Sequence, residues 1–196
     1  WQPGDGGISF FDNENWNPRQ VPTADDNAIF GASDATTRGS VVDTGDAAVN
    51  GFFVNSGKWV FTVNEGNTLS ADYRFFFWGD HTIRATLRGD GEYAVQQSSF
   101  SSDLTNSVSA FDRCTVTMVG VNYDGRGDGV TPGSGLFDVG VNSGGAIVEI
   151  NAGSQVIVDY ARVGEGGDLY APSQGNLKLS GIGTSFTAVS GMQIGA

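Results

Sequence analysis

Apolar and polar positions alternate with a period of two along much of the chain. Trp59, Phe61 and Val63 alternate with Val60, Thr62 and Asn64, and Ala146, Val148 and Ile150 alternate with Ile147, Glu149 and Asn151. Val156, Val158 and Tyr160 keep the same period. Residues two apart share one face of an extended chain, so each run predicts a short strand with one buried side. Asn-x-Gly and Gly-Gly steps separate the runs, and both residue types tolerate the left-handed backbone of a sharp corner. The longest helical candidate, Asp72–Gly79, is a run of aromatics without a 3.6-residue period. The pattern predicts an all-β protein.

The pattern also repeats. Val54–Tyr73 aligns without a gap on Val141–Tyr160 at an offset of 87, with 8 identities in 20 positions. Val60/Ile147, Phe61/Val148, Val63/Ile150 and Leu69/Val156 are apolar in both copies. A looser third copy begins at Leu177, where Leu177 and Leu179 take the parts of Val148 and Ile150 and Phe186 opens the next strand. Apolar-Gly pairs end the copies, at Trp78-Gly79, Val163-Gly164 and Ile194-Gly195. Val119-Gly120 and Val139-Gly140 are candidates for further rungs. An antiparallel sandwich or jelly roll does not need a strand-corner-strand unit copied at a fixed offset. A β-solenoid does, because each coil stacks in register on the last. The expected fold is therefore a parallel β-helix, with 87 residues spanning several coils.

The first 33 residues stand apart: Trp1, Phe10, Phe11, Trp16 and Phe30 cluster there with Pro3, Pro18 and Pro22. A solenoid end exposes strand edges and core side chains, and an aromatic segment suits the task of covering them. The stretch Asn13–Ser33, NENWNPRQVPTADDNAIFGAS, resembles the N-terminal motif of bacterial secreted repeat proteins, autotransporter passenger-type and other cell-surface β-helix proteins. Val163–Gly167 and Leu177–Gly181 are similar to their passenger repeats, whereas Asp80–Gly135 fits them poorly. The resemblance implies a right-handed parallel β-helix outside the cell, serving adhesion or surface structure, and brings no catalytic residues. The expected organisation is an N-terminal cap over residues 1–33 and a solenoid over 34–196, with an irregular middle insertion at about 80–135.

Composition narrows the function. The 196 residues carry 22 acidic and 10 basic side chains, a formal net charge of -12, which argues against nucleic acid and against anionic membranes as partners. No apolar run reaches the roughly 18–20 residues of a membrane helix. Cys114 is the only cysteine and His81 the only histidine, so neither an internal disulfide nor a zinc site built from them within one chain is expected. The chain begins at Trp1, as after removal of a signal peptide or excision of a fragment. With only two lysines, Lys58 and Lys178, in a Gly-, Asn-, Ser- and Thr-rich chain, an extracellular or cell-surface location is expected. Nothing after Ile194-Gly195 resembles a polar cap, so self-association by head-to-tail stacking, or a longer array, is expected at that end.

Asn122, Asp124 and Asp128 have a spacing like a calcium loop, which makes calcium the one candidate cofactor. Arg126 sits where a third ligand belongs and no Glu closes the loop, so a solvated turn is the plainer reading. Arg126-Gly127-Asp128 matches a tripeptide of integrin ligands, a match short enough to arise by chance. Asp25-Asp26 and Asp43–Asp46 are paired acids, the first of which alternation sends to opposite faces. Arg84 and Arg88 with Asp80 and Asp90 form the cluster a polysaccharide lyase would need. Phe75 and Phe77 should face one side and Phe76 and Trp78 the other, so an exposed aromatic patch is a candidate surface for sugar rings or a second subunit. The expected function is that of a structural, non-enzymatic segment of a filament-forming or adhesive surface protein. The alternatives are a carbohydrate-active β-helix, as lyase or sugar-binding module, and a viral tail or spike segment, which predicts a trimer.

Overall fold

A computed structural model describes residues 9–32, 36–95, 108–126, 135–140, 145–164 and 174–195. A single 3-10 turn, Asn13–Asn15, precedes β1 (Asn27–Phe30), β2 (Thr37–Val42), β3 (Ala47–Val54) and β4 (Lys58–Val63). The long β5 (Thr68–Arg88) leads to β6 (Glu92–Val95), β7 (Val108–Val119), β8 (Asn122–Gly125) and β9 (Leu136–Val139). β10 (Ala146–Asn151), β11 (Gln155–Val163), β12 (Gly175–Ser180) and β13 (Ser185–Ile194) follow. No α-helix occurs among the described residues.

All thirteen strands belong to one sheet and every pairing between them is parallel. The pairings resolve into three ladders. The first holds β2, β4, the end of β5, the end of β7, β10 and β12. The second holds the start of β3 and of β5, then β6, β8 and the starts of β11 and β13. The third holds β1, the end of β3, the middle of β5, the start of β7, β9 and the ends of β11 and β13. From β2 onward the chain visits first, second and third ladder in turn. Along the first ladder Arg38, Trp59, Ala85, Val116, Val148 and Leu177 succeed one another, 21 residues separating the first pair and 32 the widest.

The inward positions of all three ladders make one hydrophobic cluster. Alternation decides which side chains enter it: β4 and β10 read buried at every second residue. Aromatics tie the ladders together. Phe52 stacks on Phe75 within the third ladder at 4.9 Å, and Phe77 on Phe111 at 5.4 Å. Across ladders, Phe30 meets Phe61 at 4.9 Å and Tyr123 meets Phe137 at 6.0 Å. Stacked and edge-to-face rings at such separations add to the energy of area burial. Cys114, the one cysteine of the chain, is buried in the same cluster.

Residues 9–16 lie across the start of this stack. Phe10 donates its N–H to the Val41 carbonyl at 2.7 Å, and Trp16 packs edge-on to both Phe10 and Phe30. The Trp16 indole N–H donates to the Phe10 carbonyl at 2.8 Å, so its one polar atom is satisfied where the ring is buried. β1, within the expected cap region, is the first strand of the third ladder.

Two further details differ from the sequence expectation. Residues 83–95 and 108–125 are not an irregular insertion, because strands of all three ladders run through them. Their inward residues, among them Ile83, Leu87, Tyr93, Val116 and Tyr123, keep the period-two pattern, and long intervening segments hide it in the sequence. The two clear copies of the repeat do reach the same ladders three steps apart. In the second ladder the alignment holds, Leu69 rising through Tyr93 and Tyr123 to Val156. In the first ladder it slips by two, since Val148 stands over Trp59 rather than Phe61. A slip of two preserves the buried face and costs nothing in patterning. The third copy stacks as read, Leu177 on Val148 and Leu179 on Ile150.

Corners between the first and second ladders use side chains to satisfy backbone. Ser154 Oγ donates to the Asn151 carbonyl at 2.6 Å, and Thr184 Oγ1 to the Ser180 carbonyl at 2.8 Å. In the Asn151-Ala152-Gly153 corner the left-handed residues are Ala152 (φ 52) and Gly153 (φ 81), while Asn151 ends its strand. Gly89 turns the β5–β6 corner at φ 108, where an added Cβ would lie 2.1 Å from the Val63 carbonyl oxygen. Ala in the left-handed region costs roughly 1–2 kcal/mol, partly offset by glycine's greater freedom in the unfolded chain. Ala152→Gly is therefore expected to stabilise by about 0.5–1 kcal/mol. Gly89→Ala is expected to destabilise by about 2 kcal/mol or more, through left-handed strain plus a backbone clash. Urea unfolding midpoints of the two variants, moving in opposite directions, check both.

Candidate functional site

With the inward faces filled, chemistry is confined to the outward rows, the corners and the last rung. β8 presents Asn122 and Asp124 outward and Tyr123 inward, as alternation requires. Asp124 is engaged by Arg126: Nε lies 3.0 Å from Oδ1, and a terminal nitrogen 2.5 Å from Oδ2. The Arg126 backbone N–H adds a bond to Oδ1 at 3.1 Å. These hydrogen bonds, the side-chain ones foremost, hold the Asp124 carboxyl below its ordinary pKa, and the same pair raises that of Arg126. Asp128, with most of the Arg-Gly-Asp tripeptide, lies outside the described residues. Among the described residues no three His, Cys, Asp or Glu side chains come together as a metal-binding group.

The aromatic run divides by phase. Phe75 and Phe77 are fully buried, whereas Phe76 points the other way, half-buried, with Phe53 at 6.1 Å and the Arg74 guanidinium 5.9 Å from its ring. Phe76 follows Ile29 and Phe53 in one outward row of the third ladder. Trp78 and His81 lie within β5.

The paired acids serve their own neighbourhoods. Asp26 accepts from the Thr23 N–H at 3.0 Å and the Thr23 hydroxyl at 2.8 Å, which together lower its pKa. Asp43 accepts from Ser9 Oγ, and Asp46 from the Thr68 N–H, both at 2.8 Å. Arg84 and Arg88 both project outward from the end of β5, where Arg88 Nε donates to Thr62 Oγ1 at 3.0 Å. Asp90 sits in the exposed corner beyond them.

Three features escaped sequence reasoning. Asp138 and Arg162 are register partners on adjacent strands, forming a forked ion pair at 2.7 and 2.5 Å with the aspartate nearly buried. Tyr93 is a buried phenol within 2.9 Å of the Arg88 carbonyl and 3.0 Å of the Phe61 carbonyl, and desolvation raises its pKa far above the usual value. A shallow groove of about 350 Å3 runs along the first ladder, lined by Thr37, Lys58, Arg84, Thr86, Thr115 and their neighbours. Each joins residues over 20 apart in the chain or a side chain to a distant backbone, and no local motif marks them.

The last strands of the three ladders differ from those before them. Inward residues of β10 and β11 are buried, Val148 and Ile150 fully and Val163 to 6 % exposure. On β12 and β13 the equivalent Leu179 is 48 % exposed, Met192 42 % and Ile194 70 %. No family model, curated protein or solved structure matches the chain.

The Asp124 pair makes a pH prediction. A depressed carboxylate pKa contributes stability that is present at neutral pH and lost as pH falls through the folded-state value. Carboxyl carbon NMR should give Asp124 a midpoint below 3.8 that rises towards it in Arg126→Gln. The Tyr93 phenol has the opposite sign: its contribution holds below pH ~10 and disappears as pH climbs above it. Tyr93→Phe should cost about 1–2 kcal/mol at neutral pH and flatten the alkaline limb of the stability curve, read by denaturant titration across pH.

Proposed function

We propose that the chain winds as a parallel β-solenoid and serves as a structural segment of an extracellular surface protein, acting through association of its end rung. The ordered visits to three parallel ladders and the shared core support the winding. The resemblance of Asn13–Ser33 to secreted repeat proteins supports the location.

The observation that carries the assembly role is the uncovered interior of the last rung. Leu179, Met192 and Ile194 continue columns whose preceding residues, Ile150, Ala161 and Val163, are buried, and among the described residues β12 and β13 each pair with one strand. A rung laid over them would bury side chains worth up to about 1.5–3 kcal/mol each and pair two free edges. The partner that fits these columns is a further rung of the same pattern, and a second copy of the chain supplies one. Phe10 and Trp16 cover the other end of the stack, which favours two last rungs meeting end to end over a head-to-tail chain.

Light scattering behind size exclusion should find a concentration-dependent dimer. Leu179→Lys with Ile194→Lys should give a monomer that melts with the wild type at dilutions where the dimer has dissociated, since both side chains are exposed in the single chain. A wild-type monomer at every concentration would remove the assembly role, and long filaments would remove the end-to-end arrangement.

A further inference from the structure

The outward rows of the first ladder carry charge of the wrong sign for this protein. The chain as a whole is at -12, yet these rows hold Lys58, Arg84, Arg88 and Lys178 against one acid, Glu149. Lys178 is paired to Glu149 at 3.2 Å, and Arg88 is tied to Thr62. Lys58 and Arg84 are direct register partners on adjacent strands, roughly 4.8 Å apart along the stack. Among the described residues neither makes an ion pair or a side-chain hydrogen bond. Like charges directly opposite in a sheet destabilise it. Both line the shallow groove, where Thr37, Thr86, Thr115 and Thr117 add a field of hydroxyls.

We propose that this groove binds an acidic polysaccharide, with Lys58 and Arg84 receiving its carboxylate or sulfate groups and the threonines its hydroxyl and ring oxygens. The arginine fork matches a planar carboxylate, and the neighbouring ammonium supplies a second counter-charge one rung away. Threonine hydroxyls both donate and accept, as sugar hydroxyls require. The four strands that line the groove give a track of about 14 Å, room for a short run of sugar units. The outward rows hold no aromatic residue and Trp59, which borders the groove, is only 1 % exposed, so neither the ring stacking that neutral sugars use nor the base stacking that single-stranded nucleic acid uses is on offer. Recognition there rests on charge and hydroxyl bonding, which selects a charged glycan. The site lies on the flank and does not depend on association of the last rung.

Titration calorimetry of the whole chain with polygalacturonate at low ionic strength tests the assignment, with dextran as the uncharged control. Binding should be measurable for polygalacturonate, absent for dextran, and weaker as salt rises. Lys58→Gln with Arg84→Gln should weaken it roughly tenfold or more at a melting temperature equal to or above that of the wild type, since the like-charge pair is removed. Arg19→Gln, which removes an exposed charge in the N-terminal segment, should leave it as it was. No binding of polygalacturonate, equal binding by the double variant, or equally tight binding of a thymidine oligonucleotide would each overturn the proposal.

Discussion

Every other feature depends on apolar side chain standing over apolar side chain in parallel register. A parallel ladder hydrogen-bonds both edges of each inner strand, so a strand is stable only if its neighbours rise in the same phase. A slip of one residue would turn an entire strand inside out. The chain therefore has to restore phase after each corner. It does so with register shifts between Val49 and Gly51, between Trp78 and Ile83, and between Val158 and Tyr160. Loop length is free between these points, which is why the spacing of rungs varies while the columns remain continuous.

The same constraint assigns work to the rest of the surface. Inward rows are committed to the core, and corners to satisfying backbone through residues such as Ser154 and Thr184. The outward rows are exempt from packing and can carry chemistry. Asp138 and Arg162 spend theirs on a forked pair between adjacent strands. Lys58 and Arg84, like charges on adjacent strands, make no ion pair among the described residues. The ends of the stack are unequal: one carries Phe10 and Trp16 across it, while the other leaves leucine, methionine and isoleucine half in water.

Alternation along β4, β10 and β11 was legible because period two is a local property of extended chain. The stacking of Leu177 and Leu179 on Val148 and Ile150 was legible because the copies lie close in pattern and share their corners. Trp59 was matched to the wrong neighbour by two positions, since either choice keeps the same face buried. The end of β5 and strands β6 to β8 fall in the stretch that reads as an insertion, because the segments 96–107 and 126–135 interrupt the alternation there. For the candidate site, Arg126 stands out in the sequence as an ill-fitting ligand, but the stretch reads as a turn, whereas Asn122–Gly125 form β8 with Asn122 and Asp124 outward. That Arg126 grips Asp124 is a matter of side-chain geometry.

The sequence by itself determined that the protein is all-β, which face of β4, β10 and β11 is buried, and where the corner between β10 and β11 falls. These depend on residues within a few positions of one another. Only the tertiary structure decided which strands become neighbours, and so that Lys58 meets Arg84, that Asp138 meets Arg162, and that Tyr93 reaches the Phe61 carbonyl. Those meetings depend on how many residues each loop consumes between rungs, and a loop's length leaves no trace in the alternation on either side of it.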